Sequence, residues 1–83
     1  GNPLAVKRVR GIVIDLSRVQ TMNSSGLGAL ISGLNTMRQA GGDLKLAGVN
    51  EKVDKLLVIT KLHSVFESFA SVEEALASFA GLA

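Results

Sequence analysis

The hydrophobic positions in the first half of the chain change their spacing, and each change predicts a new element. Residues 12–16, IVIDL, form a nearly continuous apolar run rich in β-branched side chains, which is typical of an interior parallel strand covered on both faces. Further along, apolar residues recur at the spacing of one helix face until Gly41-Gly42 ends the pattern, which predicts a helix from about Ser25 to Ala40. Its apolar positions are Leu27, Leu30, Ile31, Leu34 and Met37.

A second strand is predicted directly after this helix. In residues 43–48, DLKLAG, Leu44 and Leu46 alternate with polar or small residues, and a glycine closes the run. A strand, a helix and a strand with short joints form a βαβ unit, whose crossover makes the two strands parallel. The pattern therefore predicts an α/β fold with a small, mostly parallel sheet packed with helices.

The second half of the chain contains signals for two more helices and a short strand. Asn50 is a suitable cap for a second helix, and residues 65–69, VFESF, alternate as a short third strand does. In SVEE, residues 71–74, a serine stands three positions before a glutamate, which is a capping-box start for a last helix. In the second helix the repeating positions are Val53, Leu56, Leu57 and, more weakly, Thr60, while Lys52, Asp54, Lys55 and Lys61 are predicted to point outward.

Length and composition exclude several classes of protein. A chain of 83 residues, 47% hydrophobic and 19% charged, fits one compact domain. With no cysteine and one histidine, it offers no disulfide, thiolate or histidine-rich metal site, and no cofactor is expected. The net charge is only +2, and Lys7, Arg8 and Arg10 lie far from the three phenylalanines, which argues against nucleic-acid binding. Neither a signal peptide nor an apolar run of about 18 residues is present, so a cytoplasmic protein without membrane insertion is expected.

Two serines and two glycines lie between the first strand and the first helix, in MNSSGLGA, residues 22–29. This is the carboxyl edge of the predicted sheet, where α/β proteins usually place their sites. The start of a helix also offers unpaired N–H groups, so a phosphate on Ser24 would be stabilised there. The alternative is ordinary capping by Asn23 or Ser24. Gly26 and Gly28 lower helix propensity but allow another backbone, or a nucleotide, to approach closely.

Catalytic interpretations of this segment are weaker. A nucleophilic serine needs a base within reach, and the one histidine, His63, lies in a polar joint where a solvated or capping role is expected. Asp15 has no partner ligands in sight, so it is expected to fix a loop. The G-x-G spacing lacks the third glycine of a dinucleotide fingerprint and the Lys-Ser/Thr pair of a P-loop. The chain is therefore not expected to be an enzyme, and nucleotide binding stays a minor alternative.

Two segments, in their order along the chain, closely resemble the STAS domain of bacterial anti-sigma-factor antagonists over about residues 11–79. They are IDLSRVQTMNSSGLGALI and GGDLKLAGVNEKVDKLLVITKLHSVFESFASVEEALASF. In that family a strand leads through a loop to Asp-Ser-Ser-Gly-Leu-Gly and into a helix whose first serine is the site of regulatory phosphorylation. The resemblance therefore implies a STAS-like fold in which Ser24 is the phosphoacceptor.

The function that the resemblance implies is a phosphorylation-gated binding switch. The unphosphorylated domain would bind an anti-sigma factor with serine kinase activity and so free a sigma factor for transcription. A phosphate adds about −1.5 to −2 charges at pH 7, which is costly to bury in an interface made for a neutral hydroxyl. The partner-binding residues implied are Asn23, Ser24, Ser25, Gly26, Gly28, Ala29, Ser32 and Gly33.

Two departures from the family pattern leave alternatives open. Asn23 stands where the family usually has Asp, which slightly favours a non-signalling STAS subunit of a lipid-transport ATPase complex. The family also has one or two strands and a helix before the first strand predicted here, where this chain supplies only GNPLAVKRVRG. We therefore expect a single STAS-like domain over residues 1–83 that is truncated at its N-terminal side. Self-association, or the basic residues of that segment, would then protect the open edge of the sheet.

Overall fold

The computed structural model describes residues 11–80. Strands and helices alternate along these residues, and a short 3-10 turn, Leu62–Ser64, precedes the last strand. The elements are β1 (Gly11–Asp15), α1 (Ser24–Gln39), β2 (Asp43–Ala47), α2 (Glu51–Ile59), β3 (Glu67–Phe69) and α3 (Val72–Phe79). The three predicted helices are thus confirmed, each beginning within one residue of its predicted start.

The strands form one parallel sheet in the order β1-β2-β3. Val13 pairs with Lys45, and Lys45 pairs with Glu67, so β2 is the central strand. This confirms the predicted α/β fold with a parallel sheet. Among residues 11–80, β1 is an edge strand of the sheet, and the prediction that it is an interior strand rests on residues outside this range. Its Ile12 side chain is accordingly 40% exposed.

Alternate residues of β2 face two different layers of helices. Leu44 and Leu46 face the main core, which α1 and α2 supply. Lys45 faces α3, where Ala75 is fully buried and the Phe79 ring occupies the space that a Cβ at Gly11 would need. The sheet is therefore covered by α1 and α2 on one face and by α3 on the other. The main core consists of Leu16, Leu27, Leu30, Leu34, Met37, Leu44, Leu46, Val53, Leu57 and Phe66.

Local signals at the ends of the helices operate as the sequence predicts. Asn50 Oδ1 accepts a hydrogen bond from the Val53 N–H at 2.8 Å, and Ser71 Oγ accepts one from the Glu74 N–H at 3.2 Å. At the end of α1 the Gly42 N–H donates to the Met37 carbonyl at 2.8 Å, and Gly41 adopts a φ of +86°. This is the glycine-dependent Schellman geometry, which satisfies the last carbonyls of the helix.

Three details differ from the sequence predictions. β3 starts at Glu67 because its pairing with β2 starts there, and the preceding Phe66 fills the main core instead of extending the strand. Thr60 ends α2, with its hydroxyl donating to the Leu56 carbonyl at 2.8 Å, and does not enter the core. Ile31 is 36% exposed, since it lies at the border of the apolar stripe of α1.

Several expectations are not decided by the fold. The roles of Lys7, Arg8 and Arg10 lie outside the described residues. The domain boundaries at residues 1 and 83 and self-association stay predictions. In residues 11–80, no helix combines the length and the apolar character needed to cross a membrane.

Candidate functional site

Asn23 is the residue that caps α1. Its backbone is extended, with φ −98° and ψ −179°, and its Oδ1 accepts a hydrogen bond from the Gly26 N–H at 2.9 Å. Asparagine is among the preferred N-cap residues because its short side chain reaches back to the first turn. Of the two capping candidates in the sequence, the structure selects Asn23. Ser24 therefore has no capping role.

Ser24 and Ser25 are the first two residues of α1, and both are exposed. Within residues 11–80, none of the hydrogen bonds involves either hydroxyl. The first turn of α1 also contains no acidic residue, so this turn supplies no negative side chain of its own to the positive end of the helix dipole. The start of α1 can therefore take up negative charge, and Ser24 presents an accessible hydroxyl at that place.

The glycines of the predicted binding surface differ in what a side chain at each position would meet. A Cβ at Gly26 would lie 2.6 Å from Met22 Cγ, and one at Gly33 would lie 3.0 Å from Leu44 Cδ1. Both glycines are partly buried and face the protein itself. A Cβ at Gly28 would meet no atom within 4 Å. Gly28 is therefore the glycine of this helix whose lack of a side chain leaves open space at the surface.

The exposed residues at the start of α1 form one continuous patch. Ile31 borders it at positions i+3 from Gly28 and i+7 from Ser24, which is the spacing of a single helix face. The helical spacing places Ile31 on the apolar face of α1, and its place at the end of the apolar stripe is the signal for a border position. We call this patch the α1 surface, and its members are Ser24, Ser25, Gly28, Ala29, Ile31 and Ser32.

The first half of the loop between β1 and α1 is held by contacts at the carboxyl edge of the sheet. The Leu16 N–H donates to the Ala47 carbonyl at 2.8 Å, and the Ser17 N–H donates to Asp15 Oδ1 at 3.0 Å. Hydrogen bonding from Ser17 lowers the pKa of Asp15. The backbone bond is the larger cause, and a side-chain bond from the same residue is the smaller one. Gly48, with a φ of +68°, lies so close that a Cβ there would be 2.9 Å from Ser17 Cβ. Asp15 thus fixes the loop, as predicted.

The second half of the loop is tied to α2 by Asn50. Its Nδ2 donates to the Val19 carbonyl at 2.9 Å and to the Gln20 carbonyl at 3.2 Å. The sequence predicted the capping role of Asn50 but not this contact, because nothing in the local pattern links positions about thirty residues apart.

His63 is exposed in the 3-10 turn, and within residues 11–80 no hydrogen bond joins it to Ser24. The expected solvated role of His63 agrees with this exposure. The described part of the site therefore presents a serine without a base bonded to it, on a surface of small side chains, which suits binding and modification better than nucleophilic catalysis.

Comparison with known proteins gives consistent results. The STAS domain family model matches residues 2–75. A Thermotoga neapolitana protein named "putative anti-sigma factor antagonist" is 31% identical over 70 residues, which cover 84% of this chain and 62% of that protein. The anti-sigma-B factor antagonist of Listeria monocytogenes is 37% identical over 59 residues, which cover 69% of this chain and 52% of that protein.

A solved structure shares the fold as well. The crystal structure of a "putative anti-sigma factor antagonist" from Thermotoga maritima matches with a TM-score of 0.78 and 28% identity, covering 81% of this chain and 57% of that one. The chain thus spans a little over half the length of these relatives. Because the family model covers most of the chain and these relatives bear antagonist names, the chain belongs to the STAS domain family and resembles its anti-sigma-factor-antagonist type.

Proposed function

We propose that this chain is an anti-sigma factor antagonist whose binding to its partner is abolished by phosphorylation of Ser24. The observation that carries the proposal is the division of roles at the start of α1. Asn23 supplies the cap, and Ser24 exposes a hydroxyl that bonds with no group of residues 11–80, beside the open space at Gly28. The names of the relatives, which designate antagonists of anti-sigma factors, support the class of partner.

In the unphosphorylated state the α1 surface binds the anti-sigma factor. Its side chains are small apart from that of Ile31, so a partner backbone can approach the helix closely at Gly28. In this proposal the partner is also the serine kinase, so the hydroxyl that it phosphorylates lies in the surface that it binds. Binding sequesters the anti-sigma factor and frees the sigma factor for transcription.

Phosphorylation acts on the interface and leaves the fold of the domain in place. The added charge of about −1.5 to −2 lies at the positive end of the α1 dipole, which stabilises it in the free protein. In the complex the same charge would lose its hydration against a partner surface made for a hydroxyl, which costs far more than burying the neutral group. The phosphorylated domain therefore stays folded and dissociates.

This chain has Asn23 where the family usually has Asp, and this difference changes the charge at the cap of α1 but not the geometry of the helix start. Asn and Asp cap helices about equally well, and the bond from Gly26 requires only an acceptor oxygen. The start of α1 is therefore compatible with phosphorylation of Ser24. A kinase that uses the Asp carboxylate would act more slowly on this chain.

A titration with the anti-sigma factor of the same genome tests the proposal. The chain is measured by calorimetry before and after incubation with that protein and ATP, and the modified residue is mapped by mass spectrometry. We expect tight binding before modification, a single phosphate on Ser24, and loss of binding afterwards. A Ser68→Ala variant, which alters an exposed serine of β3 outside the α1 surface, serves as the control and should be phosphorylated normally. A phosphate on another residue, or unchanged affinity after modification of Ser24, would refute the switch.

A further inference from the structure

We propose that Asn50 is a positioning residue of the switch, because it fixes the loop that presents Ser24. This inference rests on the proposed function, and it adds a residue outside α1 to the machinery. Asn50 precedes α2, yet its side chain bonds with three different backbone groups. Two of those groups belong to the loop that leads into Ser24.

The three contacts require an amide in one orientation. Oδ1 accepts from the Val53 N–H at 2.8 Å, while Nδ2 donates to the carbonyls of Val19 at 2.9 Å and Gln20 at 3.2 Å. A backbone N–H can only donate and a carbonyl can only accept, so the partners themselves determine which end of the amide faces which group. Asparagine satisfies both requirements at once, as an acceptor for α2 and a donor for the loop.

Few other contacts hold the loop just before Ser24. Within residues 11–80, the backbone hydrogen bonds of the loop involve Leu16 and Val19, and the chain re-enters regular bonding at Asn23. The remaining restraints are the partly buried side chains of Val19 and Met22, which pack against the main core. Apolar contacts are not directional. The Asn50 amide therefore supplies the directional restraint on the carbonyls of residues 19 and 20.

The restraint originates from a rigid part of the molecule. The first turns of α2 are anchored by Val53, which is fully buried, and by Leu57, which is 1% exposed. Asn50 is held to this anchor by its capping bond and transmits its position to the loop. A loop that is already ordered loses less conformational freedom when a partner binds, which favours affinity. Asn50 thus acts on the partner through the placement of Ser24 and not by direct contact.

An Asn50→Asp variant separates the two functions of this side chain. Aspartate caps helices as well as asparagine does, so α2 should remain intact. A carboxylate has no donor, and it would face the carbonyl oxygens of Val19 and Gln20 instead of bonding with them. Asn50→Ser is the second variant, because serine also caps but is too short for both contacts and adds no charge. Ser71→Asp is the matched control, since it places the same carboxylate at the cap of α3, where Ser71 accepts from the Glu74 N–H and lies beside Asp15 and Ser17, outside the segment of residues 19–24.

Two measurements on the full chain test the proposal. Amide hydrogen exchange of the free protein at Val19 and Gly26, whose N–H groups are hydrogen-bonded on either side of residues 20–24, reports the order of the loop, and calorimetric titration with the anti-sigma factor reports the dissociation constant. For both Asn50 variants we expect exchange of the Val19 and Gly26 amides to become about tenfold faster and the dissociation constant to rise about tenfold, as expected for loss of one to two net hydrogen bonds. Exchange within α2 and the far-UV circular dichroism should match those of the wild-type chain and of Ser71→Asp.

The possible outcomes are distinguishable. Wild-type exchange of the Val19 and Gly26 amides in the Asn50 variants would overturn the positioning role, and so would faster exchange with unchanged affinity. If the wild-type chain binds no anti-sigma factor, the proposed function fails, while the exchange data still decide whether Asn50 orders the loop.

Discussion

The ammonium group of Lys45 donates a hydrogen bond to Ser78 Oγ at 2.7 Å. Ser78 in turn donates to the Ala75 carbonyl at 2.7 Å, so these bonds join the central strand to the last helix. Lys45 Nζ also lies 4.3 Å from the centroid of the Phe79 ring and 3.6 Å from Glu67 Oε1. Lys45 is only 7% exposed, yet its charge has these three groups close to it. Ser78 and Phe79 belong to α3, the helix that covers this face of the sheet.

Substitutions at Lys45 and Ser78 should show that the two residues act as a unit. Ser78→Ala removes a partner from a buried ammonium and should lower the free energy of unfolding by about 1–3 kcal/mol. Lys45→Met keeps the apolar stem and leaves no buried charge, so its free energy of unfolding should stay within about 1 kcal/mol of wild type or rise. In the Lys45→Met background, adding Ser78→Ala should cost less than it does in the wild type. Urea unfolding of the four proteins measures this, and strict additivity would show that the bond contributes nothing.

Substitutions of Ser24 should separate stability from binding. Because Asn23 is the cap, Ser24→Ala should change the free energy of unfolding by no more than about 0.5 kcal/mol and should bind the partner without being phosphorylated. Ser24→Asp should be as stable as wild type, or more stable by about 0.3–1 kcal/mol through the helix dipole, yet bind more weakly.

Thermal melts and partner titrations of both Ser24 variants check this prediction. Thr36→Asp is the control, since it adds the same charge at an exposed position about three turns further along α1. A Ser24→Asp variant that binds as tightly as the wild type would argue strongly against the switch.

Gly28→Ala should stabilise the domain and weaken its complex. A Cβ at this position meets no atom within 4 Å, so the higher helix propensity of alanine should raise the free energy of unfolding by up to about 1 kcal/mol. The added methyl group would occupy the space that the partner backbone needs. Asn35→Ala, at another exposed position of α1, is the control and should stabilise without altering binding. Unchanged affinity of the Gly28 variant would place the interface elsewhere.

The bond between Asp15 and Ser17 should make stability depend on pH. Because the pKa of Asp15 is lowered in the folded protein, its contribution is present above the unfolded value of about 3.9 and is lost as the pH falls through the folded pKa. Wild type should therefore be more stable than Asp15→Asn at pH 7, and the difference should shrink below about pH 4. Urea unfolding of the two proteins at pH 7 and below about pH 4 measures this difference in the free energy of unfolding. A difference that does not vary with pH would mean that the Asp15 charge does not contribute.

The elements of this fold could be predicted because their signals are local. The caps at Asn50 and Ser71 bond to N–H groups three residues further on, and the glycines after α1 bond to carbonyls three and five residues back. Such contacts form wherever the chain turns into a helix, whatever surrounds it. The apolar spacing similarly indicates that strands and helices alternate, and a helix in each crossover makes the successive strands parallel. The position of Ser24 at the start of a helix follows from these signals alone.

The tertiary structure decided which groups meet across the chain. Periodicity assigns Ile31 to the apolar face of α1, but the packing of the helix leaves its side chain 36% exposed. In the sequence, Lys45 is a polar position of an alternating strand. Its buried contacts depend on where α3 packs against the sheet. Asn50 reaches the carbonyls of residues 19 and 20 because parallel strands place their carboxyl ends at one edge. These contacts join distant positions, and their formation depends on packing geometry that spacing along the chain does not encode.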